Sequence, residues 1–168
     1  MVRAIVFQQL AGRAATAIHQ RVLDALGGEV TPEGVLSLDD ATCAQCGLSA
    51  AKRDAIRDLA AKVLDGSVRP DKHGRMSDAD VVAELVTVRG IGPWTAQMYL
   101  MHQLGRHDVW PHLDYGVRNG WSQLHAMTEM ISVKELLSAA DHLAPYRSSV
   151  AWYCWQAVDL GLTSSPKR

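Results

Sequence analysis

Residues 88–97 read VRGIGPWTAQ, a spacing that suits one kind of chemistry. Gly90 and Gly92 bracket a single isoleucine, and Pro93 and Trp94 follow. Glycine accepts positive φ and, having no Cβ, lets another backbone come close. Proline at the first helical position gives up an N–H that has no helical partner in any case. Between two helices, such a turn leaves backbone amides facing outward at a helix N-terminus, where an anion binds, a phosphate above all. An ordinary tight turn would use the same residues, so the glycines alone leave both readings open. Cys43-Ala-Gln-Cys46 has the C-x-x-C spacing of redox and zinc sites. No second pair and no histidine at ligand spacing accompany it, so the pair reads as two small residues on a short surface helix, with no metal expected.

The elements that must position this turn are helical throughout. No segment alternates apolar and polar residues between turn signals, whereas helical spacing recurs along the chain. Ile5, Leu10, Ala14, Ile18, Val22 and Leu26 predict one helix stopped by Gly27-Gly28. Thr31-Pro32 opens a short helix, Asp39-Asp40 begins another, and Ser49 caps a longer one with Ile56, Leu59, Val63 and Leu64 inside. SVRPDKHGRM (67–76) reads as loop. Ser77 with Asp80 starts the helix that runs into the glycine turn, and a second helix follows from Pro93 to Leu104. A helix starts near Asp114, Ser132 and Glu135 form a capping box, and a last helix spans Ser148 to Leu160. The expected fold class is all-α, with about nine short helices.

The chain has 168 residues, 48% hydrophobic and 21% charged, within the range of a globular domain. No apolar run reaches the roughly 20 residues a bilayer span needs, and Gln8 and Gln9 interrupt any signal-peptide core. A cytoplasmic protein with no membrane partner is expected, nucleoid-associated if prokaryotic. The net charge of −1 gives no general argument for nucleic acid, so such a claim must come from local geometry. A helix-hairpin-helix that grips phosphate through amides needs no net positive charge.

The stretch VRGIGPWTAQMYLMHQLGRHDVWPHLDYGVRNGW resembles the helix-hairpin-helix, Gly/Pro-rich loop and aspartate of the DNA glycosylase superfamily, in particular its 3-methyladenine DNA glycosylase II (AlkA-like) branch. RAIVFQQLAGRAATAI (3–18) and LAPYRSSVAWYCW (143–155) are similar to two further motifs of that branch, in the same order. The resemblance implies two helical lobes around a central cleft. It implies one glycosylase unit over 1–168, with one lobe roughly at 27–110 including a hairpin at 81–104. The second lobe would combine the 1–26 helix with 111–168. The family carries a few tens of residues before the Gln-Gln-Leu segment, so either the start is internal or this is an N-terminally short, minimal form, in which apolar surface on the 3–26 helix would favour association.

By the same resemblance, Asp114 is the catalytic aspartate, stabilising positive charge on the sugar as the N-glycosidic bond breaks and orienting the attacking water. Without that context an aspartate at a helix start reads as an N-cap. Trp94 stands where strand-cutting relatives carry a Schiff-base lysine, and no lysine lies between Lys72 and Lys134, which implies a monofunctional enzyme without lyase activity. An indole face also attracts an electron-poor alkylated purine. Tyr146, Met98, Tyr99 and Trp110 complete the expected base pocket, whereas Trp152 and Trp155 are expected in the core. For DNA binding the resemblance points to Gly90, Gly92 and the Thr95 hydroxyl at the phosphate, to Leu10 as the wedge that replaces the flipped nucleotide, and to Gln9 at the orphaned base. Leu10 also fits the apolar stripe of its helix. No cofactor is expected: an iron–sulfur cluster needs four cysteines, and only Cys154 lies near the C-terminus. The family implies at most a structural monovalent cation at the hairpin. Damaged duplex DNA is the expected partner, with no obligate protein partner. The expected activity is hydrolytic release of alkylated purines of the 3-methyladenine type; the alternative is a non-catalytic DNA-binding module.

Overall fold

The computed structural model describes residues 1–10 and 12–161. Among them it is all-helical: α1 Val2–Phe7, α2 Gly12–Ala25, α3 Pro32–Ser37, α4 Asp40–Cys46, α5 Ala50–Leu64, α6 Asp78–Leu85, α7 Pro93–His102, α8 Tyr115–Leu124, α9 Val133–Ala139 and α10 Arg147–Asp159. Short 3-10 turns cover His73–Arg75 and Asp141–Leu143. No helix among the described residues is long and apolar enough to cross a membrane.

Helix starts follow from local chemistry. The side chains of Thr31, Asp39, Ser49, Ser77 and Ser132 each accept an N–H from the residue three positions on, and Ser132 with Glu135 closes a reciprocal capping box. One expected helix is two. Instead of running from 5 to 26, the chain leaves helical geometry at Gln8, and Gln9 takes a left-handed φ of 55°. The cause is distant in sequence. Lys52 on α5 donates from Nζ to the carbonyls of Val6 and Gln8, at 2.6 and 2.8 Å, occupying acceptors that a continuing helix would have used.

The chain divides into two compact units, Met1–Tyr99 and Leu100 onward, with the division inside α7. The sequence reading placed the boundaries near 26 and 110; here α1 and α2 group with the first unit, where α1 packs on α2 and α5. The core of the first unit includes Ile5, Val6, Val22, Val35, Ala55, Ile56, Leu59, Val81 and Leu85. Cys43 and Cys46 lie on short α4 as expected, but both are buried free thiols and not surface residues.

The second unit is organised by α8 against α10. At Gly120 an added Cβ would stand 1.9 Å from the Cys154 carbonyl oxygen, so only glycine lets these backbones approach so closely. Around this contact Val117, Trp121, Ile131, Leu136, Ala151 and Cys154 form the core.

Candidate active site and nucleic-acid interface

In the first unit, α6 and α7 form the hairpin. Val88 and Ile91 are buried and plug its base, and Gly90 supplies the left-handed residue with φ 75°. A Cβ on Gly90 would lie 3.3 Å from the Ala55 methyl, so glycine serves here both for conformation and for proximity to α5. Gly92 differs: its φ is not positive, and nothing lies within 4 Å of where a Cβ would stand. Its smoothness therefore faces outward, at the end of α7 that carries partial positive charge. The turn is tied back to α5 by Arg89, whose N–H donates to Asp58 Oδ2 at 2.7 Å. That bond, with the Lys62 ammonium, holds the Asp58 carboxyl below the usual carboxylate range.

Thr95 corrects one expectation. It is buried, and its hydroxyl accepts a hydrogen bond from Gln8 Nε2 at 2.9 Å, so it braces the turn from within and does not reach out to a phosphate. Gln8 was not foreseen. Leu10 lies on no buried stripe: the break after α1 puts it in a connecting turn, 39% exposed, with Gln9 beside it also exposed.

Trp94 occupies the first turn of α7 and is 41% exposed. Met98, one turn on, is half-buried. Tyr99 is not a pocket residue. It is buried in the first unit with its hydroxyl 3.1 Å from His73 Nδ1, and His73 Nε2 lies 2.8 Å from Glu84 Oε1. The segment read as plain loop thus sends a fully buried histidine between the two hairpin helices.

In the second unit Asp114 is the N-cap of α8. Its Oδ1 accepts from the Val117 N–H at 2.8 Å and from the indole Nε1 of Trp155 at 2.9 Å. The local reading of this residue as a helix cap thus holds, and a second N–H donor from α10 fixes the plane of its carboxylate. Trp155 reaches it because position 116 is glycine; a Cβ there would lie 2.8 Å from the indole. The Asp114 charge is felt on α10, where burial first and that charge second push the Cys154 thiol up to about 12.

Tyr146, just before α10, is 66% exposed. Trp110 is corrected: at 7% exposure it packs in the core, edge-on to Trp121, and donates its indole N–H to the Leu136 carbonyl at 2.8 Å. Trp152, expected in the core, is exposed, and Trp155 is only partly buried. The signal for Trp155 was the glycine pair at 116 and 120, four apart on α8, which opens a path for a large side chain from a facing helix. No cluster of three or more His, Cys, Asp or Glu able to hold a metal occurs among the described residues.

Comparison with known proteins agrees with this geometry. Residues 2–145 match the family model of the HhH-GPD superfamily base excision DNA repair proteins. The chain is 32% identical over 171 residues to DNA-3-methyladenine glycosylase 1 of Schizosaccharomyces pombe, covering 100% of this chain and 75% of that protein. Among solved structures it is similar to the S. pombe 3-methyladenine DNA glycosylase in complex with abasic DNA, with a TM-score of 0.87 at 32% identity, covering 98% of this chain and 81% of that one. It is also similar to a DNA-3-methyladenine glycosidase from Bacillus halodurans, with a TM-score of 0.83 at 34% identity over 93% of this chain and 72% of that one. Two tied helices around a glycine turn, and a capped, indole-braced aspartate after them, are thus the parts of a repair fold: the chain belongs to the HhH-GPD superfamily of base excision DNA repair proteins.

Proposed function

We propose that this protein is a monofunctional DNA glycosylase that hydrolyses the N-glycosidic bond of alkylated purines, of the 3-methyladenine type, in duplex DNA and leaves an abasic site. The observation that carries the reading is the double restraint on Asp114 Oδ1 by the Val117 amide and the Trp155 indole. A carboxylate held in one plane lowers the barrier by stabilising charge that develops on the sugar, with no reorganisation at the moment of reaction. The same group orients or deprotonates water.

The other roles divide by unit. In the first unit the outward, open position at Gly92 and the N-terminal end of α7 receive a backbone phosphate, with Gly90 shaping the turn. Leu10, thrown outward by the left-handed Gln9, fills the space of the extruded nucleotide, and Gln9 meets the orphaned base. In the first unit the exposed face of Trp94 offers a stacking surface to an electron-poor base, with half-buried Met98 one turn on to adapt the fit; in the second unit the exposed Tyr146 ring offers a stacking surface of its own. Trp94 also stands in place of a Schiff-base lysine, which supports hydrolysis without strand cleavage. A monovalent cation at the hairpin would sit on turn carbonyls; those of Val88 and Gly90 already accept bonds from Ile91 N–H and Gln8 Nε2. DNA in the nucleoid, for a prokaryotic source, is the expected place of action.

The test is Asp114→Asn on duplex DNA containing 3-methyladenine, read as abasic sites formed in a single turnover. The variant should keep less than about a tenth of the rate while holding the duplex as before. The same reaction quenched with borohydride should trap no protein–DNA adduct. Full activity in the variant would remove Asp114 from the chemistry, and binding without base release by the parent protein would return the non-catalytic module.

A further inference from the structure

Gln8 ends α1, half-buried, and none of the roles above uses it. Its carboxamide makes two long-range contacts within the first unit. Nε2 donates to the Gly90 carbonyl at 3.0 Å and to Thr95 Oγ1 at 2.9 Å. Because a backbone carbonyl only accepts, the atom facing Gly90 must be the NH2, which fixes the orientation of the amide. One side chain thus holds both the left-handed apex of the hairpin and the first turn of α7.

The main chain of the same residue is held from the other side. Lys52 Nζ donates to the Gln8 carbonyl at 2.8 Å and to the Val6 carbonyl at 2.6 Å, an ammonium at the C-terminal end of a helix, where it suits the dipole. Directly after this doubly held residue the backbone takes φ 55° at Gln9 and presents Leu10 to solvent. A left-handed non-glycine residue is maintained only where its surroundings over-determine it, and here the surroundings are Lys52 on one side and the hairpin on the other.

We propose that Gln8 is a positioning residue that couples the phosphate-gripping hairpin to the Leu10 segment, so that seating the backbone on the hairpin also sets the wedge for base extrusion. This rests on the roles given above to the hairpin and Leu10. Glutamine is the side chain the geometry requires. Glutamate would face a carbonyl with a carboxylate, asparagine is one methylene short, and methionine keeps the shape but has no donor.

The experiment is a double-mutant cycle between Gln8→Met and Leu10→Ala. It is read by single-turnover base release from duplex DNA containing 3-methyladenine and by the fluorescence of 2-aminopurine placed beside the lesion, which reports unstacking. Lys52→Met serves as a second route to the same segment, and circular dichroism and affinity for undamaged duplex monitor fold and hairpin. Each single variant should slow base release and reduce the fluorescence change by about three- to tenfold. In the Leu10→Ala background, Gln8→Met and Lys52→Met should each cost less than about twofold, because the wedge they position is gone. Multiplicative losses, or a Gln8→Met protein as active as the parent, overturn the coupling and leave the wedge reading intact. A Leu10→Ala protein with unchanged unstacking overturns the wedge reading and the coupling with it.

Discussion

The roles proposed for Trp94 and for Asp114 differ in kind, and single substitutions test each by itself. For Trp94→Ala, a cationic base such as 7-methylguanine loses stacking and a cation–π attraction, whereas neutral hypoxanthine loses stacking alone. The loss in single-turnover rate should therefore be larger for the cationic lesion, by about 0.5–2 kcal/mol or roughly two- to thirtyfold. Equal losses would make Trp94 a wall with no electronic role. Trp155→Phe tests orientation instead: it keeps a ring beside Gly116 but removes the N–H that Asp114 Oδ1 accepts at 2.9 Å. A positioning role predicts kcat lower by about three- to tenfold with KM unchanged, and a rise in KM alone would contradict it. At this scale the sequence was only partly legible. The roles given to Asp114 and Trp94 came from the resemblance, since the residues alone read as a helix cap and a core indole; an aromatic residue serves a core as readily as a pocket, and Tyr99 and Trp110 are buried with their polar atoms engaged inside the fold. Trp152 erred in the opposite direction, because spacing along one helix does not tell which side has a neighbour.

Among the elements, the hairpin turn separates two uses of glycine that look identical in the sequence G-x-G. Gly90 is needed for its own conformation, at φ 75° and with Ala55 3.3 Å from its missing Cβ. Gly90→Ala should cost about 1–2 kcal/mol of stability from the left-handed backbone alone, seen as a lower thermal midpoint. Gly92 has open space around it and no positive φ. Gly92→Val should leave the thermal midpoint nearly unchanged and weaken binding to damaged and undamaged duplexes alike, because the branched side chain fills the place a phosphate would take. If Gly92→Val instead unfolds the protein and leaves the affinity of the folded fraction intact, the turn has a structural role only. Helix starts were legible because a cap is local, a hydroxyl or carboxylate three residues from the N–H it accepts. The break between α1 and α2 was not, because its cause is Lys52, some forty residues away, capturing the carbonyls of Val6 and Gln8.

Across the molecule, both units are held by carboxylates whose protonation is resisted, and this sets an acid limit on stability. In the second unit the Arg147 guanidinium pairs with Asp108 at 2.7 Å and keeps that carboxyl below its usual range. In the first unit the sharper case is Glu84, on α6 between the Arg69 chain and His73. Burial pushes its carboxyl up, but the Arg69 amide and guanidinium and the His73 ring outweigh that and hold it at about 2, against an ordinary 4.5. A carboxyl whose pKa is depressed by folding contributes its full stability above the unfolded value and loses it as pH falls through the folded one. Glu84 should therefore support the fold fully above about pH 4.5 and surrender that support progressively between 4.5 and 2. Glu84→Gln keeps the size and one acceptor but removes the charge that the guanidinium and imidazole face, at a cost of about 2–3 kcal/mol, or roughly 5–10 °C in thermal midpoint for a chain of this length. Thermal midpoints of parent and variant, measured by circular dichroism from pH 7 downward, should lie apart at neutral pH and draw together as pH falls from about 4.5 towards 2, with the variant's curve the flatter. Two parallel curves would mean that the charge of Glu84 adds nothing beyond its shape, and that the buried link from α6 through His73 to Tyr99 on α7 holds the hairpin helices by hydrogen bonding alone.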